Sequence, residues 1–410
     1  MKKLNIGILS DSCFFTTGYS TIATRIANLL SERGHNVTYF AHGYIGQPVL
    51  PGTTFEDGMK LNFSIIGGGR EGYFKDVLPV YTKQLNLDVM LVLFDTFMLF
   101  PWFLDWDLSP AKVIFYYPSD GGGGMPLGCE RILQKAHKAV AMSKFGQKQV
   151  NDMYKIITDY IPHAVDTSLY YPLSKEQKEE LKRKNGLSGK FIVGSVFRNQ
   201  GRKMADRTIK AFALFAKNNP DAILFLHTDP YDNAQVFDIG QLIARYQLQN
   251  RVIFSGMRFF KGFTYKQMNE VYNLMDVFIL TTSGEGFGIP IIEAQAAGIP
   301  VLATDYTTIR ELVVEPKTGL GIPLVGVEES NNPAVHELEI LDGTITGSWN
   351  VERGICNVVK CAEALQLMHD NPKMLEEMGK NGRMNALENY DWNKIGKQWI
   401  DYVEKLGGNI

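Results

Sequence analysis

The chain of 410 residues is too long for one compact core, and its length predicts two domains of about 150–200 residues each. Hydrophobic residues make up 45% of it and charged residues 21%, with a formal net charge of −2, so the bulk charge gives no support to a nucleic-acid-binding surface. The four cysteines are scattered, without CxxC pairs or zinc-ligand spacing, which indicates reduced structural thiols rather than a metal site.

Two apolar stretches bear on targeting and membrane insertion. The N-terminus, MKKLNIGILSD, has a basic start but lacks the apolar core of a signal peptide, and it is more typical of a first strand. The stretch 89–106 carries Asp95, Pro101 and Asp105, whereas a membrane span needs about 20 apolar residues. The sequence therefore predicts a cytoplasmic protein and leaves open a peripheral contact with a membrane.

Strands and helices alternate along the first half of the chain. The first strand precedes an amphipathic helix over residues 20–33, which ends at Gly34. The predicted strands are LNIGIL, NVTYFAH, LNFSII, DVMLVLFD, KVIFYYPSD, AVAMS and DYIPH, and the later helices cover residues 73–85, 129–136 and 144–153. This alternation predicts a parallel sheet covered by helices on both faces.

A charged segment over residues 171–189 interrupts the pattern, and its start is the predicted domain linker. The alternation then resumes with the strands KFIVGSVF, AILFLHT, RVIFSG, DVFILTT and VLATD and helices over residues 204–218, 239–246 and 265–274. Residues 326–351 break it again and are predicted to be an insertion or a surface loop with a hairpin.

The predicted fold class is therefore α/β, with two doubly wound Rossmann-like domains facing an interdomain cleft. The chain is predicted to divide into an N-terminal domain over residues 1–170, a C-terminal domain over residues 171–385 and a terminal helix over residues 386–410. The terminal helix has a wide apolar face and is expected to dock back on the first domain. That face comprises Trp392, Ile395, Trp399, Ile400 and Val403.

A GxGxxG pattern is formed by Gly67, Gly69 and Gly72, with Asp95 downstream. It invites a dinucleotide-binding interpretation, but it follows a later strand instead of opening the first βαβ unit. A flexible loop between strand and helix is the preferred interpretation.

The stretch SGEGFGIPIIEAQAAGIPV, residues 283–301, follows the strand DVFILTT. Pro290 suits the first turn of a helix that stops at Gly298, so the glycine-rich loop presents free N–H groups and a helix N-terminus, as an anion site does. Glu285 and Glu293 are poor phosphate ligands but good acceptors for paired hydroxyls. Together these features indicate a binding site for a sugar nucleotide. The alternative is that one glutamate caps the helix and the other belongs to the turn, without a ligand.

A second charged loop, in SVFRNQGRKMADRTIKAF, follows the first strand of the same half. Arg198, Arg202 and Lys203 lie in it at the same predicted sheet edge as the glycine loop. The usual interpretation of such a cluster is a solvated surface. Here the cations and the loop N–H groups are expected to converge on one diphosphate.

These motifs resemble those of the retaining glycosyltransferases of family 4, which have the GT-B fold. Residues 285–301 match the family frame EGFG-x-x-x-x-E-A-x-A-x-G-x-P-V, and the diphosphate-binding Arg and Lys of the family fall on Arg198 and Lys203. The segment IPHAVDTSLYYP is similar to the interdomain signature, with Ala164 where glycine is usual. The resemblance covers nearly the whole chain.

The resemblance also implies roles for individual residues. Glu285 would hold sugar hydroxyls and Glu293 the ribose, and residues 255–258 would line the base pocket. Many members have a histidine–aspartate or histidine–asparagine pair after the strand that here reads VIFYYPSD. This sequence has no histidine there, and Asp120 is the candidate for a polar contact near the reacting carbon. His163 and His227 are either groups behind the site or satisfied core histidines. The remaining expected donor contacts are Gly18, Asn199, Met257, Gly286, Phe287, Gly288 and Ile289.

The implied activity is transfer of a hexose-type sugar from a nucleotide diphosphate sugar, with retained configuration and without metal or cofactor. The expected partners are that donor and a glycan, lipid-linked or small-molecule acceptor, with no nucleic acid. Acceptor-side loops are expected at residues 14–20, 70–74 and 120–127. The alternatives are a sugar-nucleotide epimerase, a sugar phosphorylase or synthase, and a non-catalytic binding module. The sequence leaves the base, the sugar, the acceptor and the oligomeric state undetermined.

Overall fold

The computed structural model of the protein describes residues 2–54, 60–68, 74–75, 77–100, 102–126, 128–232, 235–258, 262–330 and 351–408. Their helices and strands form two parallel-sheet units, each covered by helices on both faces. The predicted α/β fold class is confirmed. The predicted divisions at residues 170 and 385 stay predictions.

The N-terminal sheet has seven parallel strands in the order β3-β2-β1-β4-β5-β6-β7. The central strand β1 places Ile8 between Tyr39 of β2 and Leu91 of β4. Strand β4, VMLVL, is buried along its whole length, as expected of a parallel strand covered on both faces. The strands are β1 (Asn5–Asp11), β2 (Asn36–His42), β3 (Ser64–Gly67), β4 (Val89–Leu93), β5 (Lys112–Tyr117), β6 (Lys138–Ala141) and β7 (Asp159–Tyr160).

The helices of this half lie between those strands. Thr17 caps the first of them, because its Oγ1 accepts a hydrogen bond from the Ser20 amide at 3.1 Å. The helix predicted over residues 73–85 begins later, at Leu78, because Pro79 fits only the first turn of a helix. The helices are α1 (Gly18–Glu32), α2 (Leu78–Gln84), α3 (Thr96–Leu99), α4 (Trp102–Asp105), α5 (Glu130–Lys135) and α6 (Lys144–Tyr154).

The C-terminal sheet has six parallel strands in the order β10-β9-β8-β11-β12-β13. Its helix α7 (Lys175–Lys184) opens with a capping box from Ser174 and Gln177. The strands are β8 (Phe191–Val196), β9 (Ala222–His227), β10 (Val252–Phe254), β11 (Val277–Leu280), β12 (Val301–Thr304) and β13 (Gly319–Ile322). The other helices are α8 (Ala205–Ala216), α9 (Ile239–Arg245), α10 (Tyr265–Asn273), α11 (Ile289–Ala296), α12 (Val358–Asp370), α13 (Pro372–Asn389) and α14 (Trp392–Gly408).

A separate antiparallel hairpin, β14 (Leu324–Ser330) and β15 (Val351–Cys356), occupies the two ends of the predicted insertion. Residues 331–350, which make up most of that insertion, lie outside the described residues. Strand β15 also forms an isolated bridge to the N-terminal half, where the Gly122 amide donates to the Glu352 carbonyl at 3.0 Å. The hairpin therefore links the two sheets at the cleft.

Helix α14 packs on the N-terminal sheet unit. The ring of Trp399 lies edge-on to Tyr116 with centroids 4.8 Å apart. The Tyr402 hydroxyl donates to Asp159 Oδ2 at 2.5 Å. In the part of the chain that the structure describes, none of the helices combines the length and apolarity that a membrane crossing needs.

The Tyr402 contact gives a modest, local prediction. Tyr402→Phe is expected to lower the free energy of unfolding by about 1 kcal/mol, because the partly buried carboxylate loses one donor. Urea denaturation measures this change. Tyr246→Phe, at the end of α9, is the control, since no hydroxyl partner of Tyr246 is found among the described residues. Equal stability of Tyr402→Phe and the wild type would contradict the prediction.

Candidate active site

The glycine-rich loop between β11 and α11 is held by two threonines. The Glu285 amide donates to Thr307 Oγ1 at 3.0 Å, and Thr308 Oγ1 donates to the Phe287 carbonyl at 2.7 Å. Gly288 forms the N-cap of α11 with φ 107°, a conformation that favours glycine. The positive end of α11 therefore faces the loop, as expected for an anion site.

Glu285 is bound by two cations of the charged loop that follows β8. Lys203 Nζ lies 2.5 Å from Glu285 Oε1, and Arg202 Nη1 lies 3.0 Å from Glu285 Oε2. The side chains of Glu285 and Lys203 are only 5% and 8% exposed. The Ser283 amide also donates to the Arg202 carbonyl at 2.7 Å, so the two loops are joined through their backbones as well. The basic and glycine-rich loops therefore meet, and their joint binding of a diphosphate stays a prediction.

The charges of this cluster depend on one another. Burial alone would raise the pKa of the Glu285 carboxyl, but the charges of Lys203 and Arg202 outweigh burial and lower that pKa to about 2. Burial and the neighbouring Arg202 charge lower the pKa of Lys203 to about 8, although Glu285 opposes them. Both members of the buried pair are therefore mainly charged at neutral pH.

Arg198 lies in the same loop but is paired with another carboxylate. Its Nε donates to Asp232 Oδ2 at 2.7 Å, and Asp232 is buried. The Asn199 side chain holds the backbone of Phe237, donating to its carbonyl at 2.7 Å and accepting from its amide at 3.2 Å. Arg198 is thus positioned by a partner that sequence reasoning did not identify, and the Asn199 amide is engaged with a loop.

Asp120 joins the N-terminal half to this cluster. Its carboxylate lies 3.6 Å from Arg202 Nε and 3.3 Å from Arg353 Nη2, and Arg353 Nη1 donates to its carbonyl at 2.5 Å. A Cβ on Gly284 would collide with the Asp120 carbonyl oxygen, so the glycine loop and Asp120 are in direct contact. Asp120 therefore lies against the glycine-rich loop, and its contact near the reacting carbon stays a prediction.

Other predicted donor residues meet across the cleft. A Cβ on Gly18 would lie 3.1 Å from Ile289 Cδ1, so the N-terminus of α1 faces that of α11. A Cβ on Gly286 would lie 2.6 Å from Pro118 Cβ. These close approaches leave room for glycine but not for a larger side chain without movement.

Glu293 is half-buried on α11 among tyrosines. Tyr272 donates to its Oε2 at 2.6 Å, and Tyr170 also forms a hydrogen bond with it. Burial raises the pKa of Glu293 to about 7, although the two tyrosines oppose this. Glu293 therefore lies near the middle of α11, the helix whose N-terminus adjoins the loop that carries Glu285.

The side chain of Phe287 is buried away from the cleft. The centroid of its ring lies 5.1 Å from that of the His163 ring. Burial lowers the pKa of His163 to about 3, and its Nδ1 is 2.8 Å from the Tyr116 hydroxyl. Both are core residues, so Phe287 can offer a ligand only its backbone.

The predicted base pocket follows β10. The Met257 amide donates to Ser255 Oγ at 3.3 Å, and the Arg258 guanidinium lies 4.6 Å above the Tyr231 ring. His227, at the end of β9, packs against Phe263, and burial lowers its pKa to about 4. Of the GxGxxG pattern, Gly69 and Gly72 lie outside the described residues, as does most of the predicted 70–74 loop.

Sequence reasoning missed Arg353 and did not assign Asp95. Arg353 comes from β15, some 70 residues after the glycine loop, and no motif marks it. Asp95 directly follows the buried strand β4, close to Asp120 and in a hydrogen bond with Tyr19. A carboxylate at the C-terminal end of a parallel strand was the available signal for Asp95.

The sequence of the chain is similar to those of several known proteins. Residues 177–331 match the family model described as glycosyl transferases group 1. The mannosylfructose-phosphate synthase of Agrobacterium fabrum is 28% identical over 35% of this chain and 32% of its own length. The N-acetyl-alpha-D-glucosaminyl L-malate synthase of Bacillus anthracis is 20% identical over 97% of this chain and 96% of its own.

Solved structures extend the likeness to the whole fold. Sucrose-phosphate synthase from Thermosynechococcus elongatus has a TM-score of 0.75 at 18% identity and covers 100% of both chains. Among the curated relatives, the first two are matched over only 32% and 44% of their lengths. The predicted GT-B fold is confirmed, and residues 177–331 of the chain are similar to the group 1 glycosyltransferases.

Proposed function

We propose that the chain is a retaining glycosyltransferase that moves a hexose-type sugar from a nucleotide diphosphate sugar to an acceptor hydroxyl. The observation that supports this most is the cluster of Lys203, Arg202 and Glu285 beside the N-terminus of α11. Cations and helix N–H groups suit a diphosphate, and a charged carboxylate suits the hydroxyls of the sugar attached to it.

In this proposal the diphosphate replaces carboxylates as the partner of the cations. In the structure Lys203 binds Glu285 and Arg198 binds Asp232. A bound diphosphate would take over these cations, and Glu285 would turn to the sugar hydroxyls. Glu285 and Asp232 thus hold these two cations in position.

The proposed chemistry breaks the bond between the anomeric carbon and the phosphate oxygen while the acceptor oxygen attacks from the same face. The negative charge that develops on the diphosphate is stabilised by Arg198, Lys203 and the loop N–H groups. The leaving phosphate accepts the proton of the acceptor hydroxyl. These cations supply the charge that a metal ion supplies in other transferases, so turnover is proposed to be metal-independent and unaffected by EDTA.

Relatives support the proposed partners. A protein of similar fold, Anabaena Alr3699/HepE, was solved with UDP-glucose, and a relative from Mycobacterium tuberculosis is named a GDP-mannose-dependent alpha-mannosyltransferase. We propose a nucleotide sugar as donor and a glycan, lipid-linked or small-molecule acceptor. We do not propose nucleic acid as a partner.

A donor screen tests the proposal. Thermal shift with UDP-, GDP-, ADP- and TDP-sugars is expected to identify a donor, since a ligand that binds only the folded state raises its melting temperature. Acceptor-dependent release of the nucleoside diphosphate should follow with the same donor. Donor isomerisation without acceptor would indicate an epimerase, sugar phosphate as a product a phosphorylase, and binding without turnover a non-catalytic module.

Glu293→Gln is expected to weaken donor affinity by about tenfold, which corresponds to the loss of one charge-assisted hydrogen bond to a ribose hydroxyl. Because the pKa of Glu293 is about 7, its carboxylate predominates only above that pH. The affinity of the wild type should therefore rise as the pH increases through about 7, and that of Glu293→Gln should stay level.

Isothermal titration calorimetry with the nucleotide sugar selected by the screen measures both effects. A nucleotide sugar is preferred to a nucleoside diphosphate because its diphosphate diester does not titrate in this range. Glu315→Gln, which changes a glutamate following the short helical turn Arg310–Val314, is the control. Unchanged affinity of Glu293→Gln would count against ribose binding.

A further inference from the structure

A pocket adjoins the proposed donor site on the N-terminal side of the cleft. It lies where β4, β5 and β15 approach one another, and it reaches the Asp120 carboxylate. Its lining includes Asp95, Phe97, Ser119, Asp120, Met125 and Arg353. We infer that this pocket binds the acceptor and that it selects a neutral, hydroxyl-rich molecule over a phosphorylated one, an inference that rests on the proposed function.

The charge of the pocket favours hydrogen-bond donors. Among the described residues that line it, the cation is Arg353, which Asp120 engages through both its carbonyl, at 2.5 Å, and its carboxylate, at 3.3 Å. Among the described lining residues, Asp120 is the carboxylate that Arg353 binds directly, whereas Arg353 acts on Asp95 through its charge. Carboxylates accept hydrogen bonds from hydroxyls and repel phosphate or carboxylate groups.

The side chain of Asp95 is fixed in position beside the pocket. It directly follows β4, is half-buried, and forms a hydrogen bond with the hydroxyl of Tyr19. Burial and the neighbouring Asp120 charge raise the pKa of Asp95 to about 7, although Tyr19, Arg202 and Arg353 oppose them. Above pH 7, where Asp95 is mainly ionised, an additional anion in the pocket would face the charges of both carboxylates, whereas a hydroxyl would find acceptors.

The other walls suit a sugar-like ring. Phe97 and Met125 provide an apolar face, and Ser119 adds a hydroxyl. Strand β15 closes the pocket on the side of the C-terminal half, where it is fixed to Gly122 by paired backbone hydrogen bonds of 3.0 and 3.1 Å. The pocket is therefore bounded by both halves of the protein, next to the predicted position of the reacting carbon.

Asp95→Asn tests the inference, with Asp107→Asn as its matched control. Asp107 is an exposed aspartate of the same half, ion-paired with Lys83 and away from the pocket. The probes are three neutral and phosphorylated pairs: glucose and glucose 6-phosphate, fructose and fructose 6-phosphate, and myo-inositol and inositol 3-phosphate. UDP-glucose and GDP-mannose serve as donors, and acceptor-stimulated release of the nucleoside diphosphate is measured.

In the wild type, at least one neutral probe should stimulate release with a kcat/KM about tenfold or more above that of its phosphorylated partner. Asp95→Asn should reduce this ratio by about tenfold through the acceptor KM, while the donor KM and the thermal stability stay near wild type. Asp107→Asn should keep the wild-type ratio.

A wild-type preference for a phosphorylated probe, an unchanged ratio in Asp95→Asn, or no stimulation by any neutral probe would overturn the inference. Donor binding, measured separately by thermal shift, distinguishes this failure from failure of the proposed function. If neither donor binds, the proposed function fails for these donors. If a donor binds and the ratio does not change, the acceptor inference alone fails.

Discussion

Lys203→Ala is expected to lower kcat for sugar transfer by about 10³-fold, the scale of loss when one preorganised stabilising group is removed from a transition state. Lys203 is buried, and its Nζ lies 2.5 Å from Glu285, at the N-terminus of α11 where we place the diphosphate. The charge it would neutralise develops only as the anomeric bond breaks. The loss should therefore appear mainly in kcat and less in the donor KM.

The fold is expected to survive this substitution. Glu285 keeps Arg202 as a partner at 3.0 Å, so its buried carboxylate is not left without a cation. Circular dichroism and thermal unfolding check this point. Lys210→Ala, an exposed lysine on α8, is the matched control and should transfer sugar at the wild-type rate.

Near wild-type kcat in Lys203→Ala, with the donor bound, would contradict the diphosphate role of Lys203. Arg198→Ala is a second test of the same role, and a loss of similar size is expected. If Lys203→Ala is inactive but Arg198→Ala is not, the diphosphate lies nearer Arg202 than proposed.

Gly284→Ala is expected to abolish most transfer activity by a steric route. The added Cβ would collide with the Asp120 carbonyl oxygen and lie 3.2 Å from Arg353 Nη1. The atom that must yield is backbone, so the glycine loop and the Asp120 segment would have to separate. The substitution is expected to lower the free energy of unfolding by about 1–3 kcal/mol, which is typical of overpacking.

Gly326→Ala is the matched control, because a Cβ at Gly326, on β14, meets nothing within 4 Å. Comparison of kcat/KM and melting temperature in the two variants separates the clash from a general effect of alanine. Wild-type activity in Gly284→Ala would show that the contact between the two halves is not needed for catalysis.

Much of the fold could be predicted because its signals are local. The alternation of buried strands and amphipathic helices, the glycine loop after β11 and the caps of the helices all depend on neighbouring residues. Glu285 and Lys203 were predictable for the same reason, since each follows a strand of one parallel sheet and such strand ends share an edge. Their direct contact with each other was not predicted, because no sequence pattern indicates which carboxylate pairs with which cation.

The rest of the site depends on packing between distant segments. Arg353 reaches Asp120 only because β15 bridges to Gly122, and neither segment carries a motif for that contact. Asp232 binds Arg198 from a loop on the neighbouring strand β9. The aromatic contacts that turn Phe287 into the core come from His163 and Tyr390, which lie more than 100 residues away on either side of it.

The most direct test of the account is the anomeric configuration of the product, followed by proton NMR during transfer from the nucleotide sugar that the screen selects. We predict that an α-linked donor gives an α-linked product, with one nucleoside diphosphate released per sugar transferred and with the same rate in EDTA. A β-linked product, or sugar transfer without release of a nucleoside diphosphate, would contradict the account.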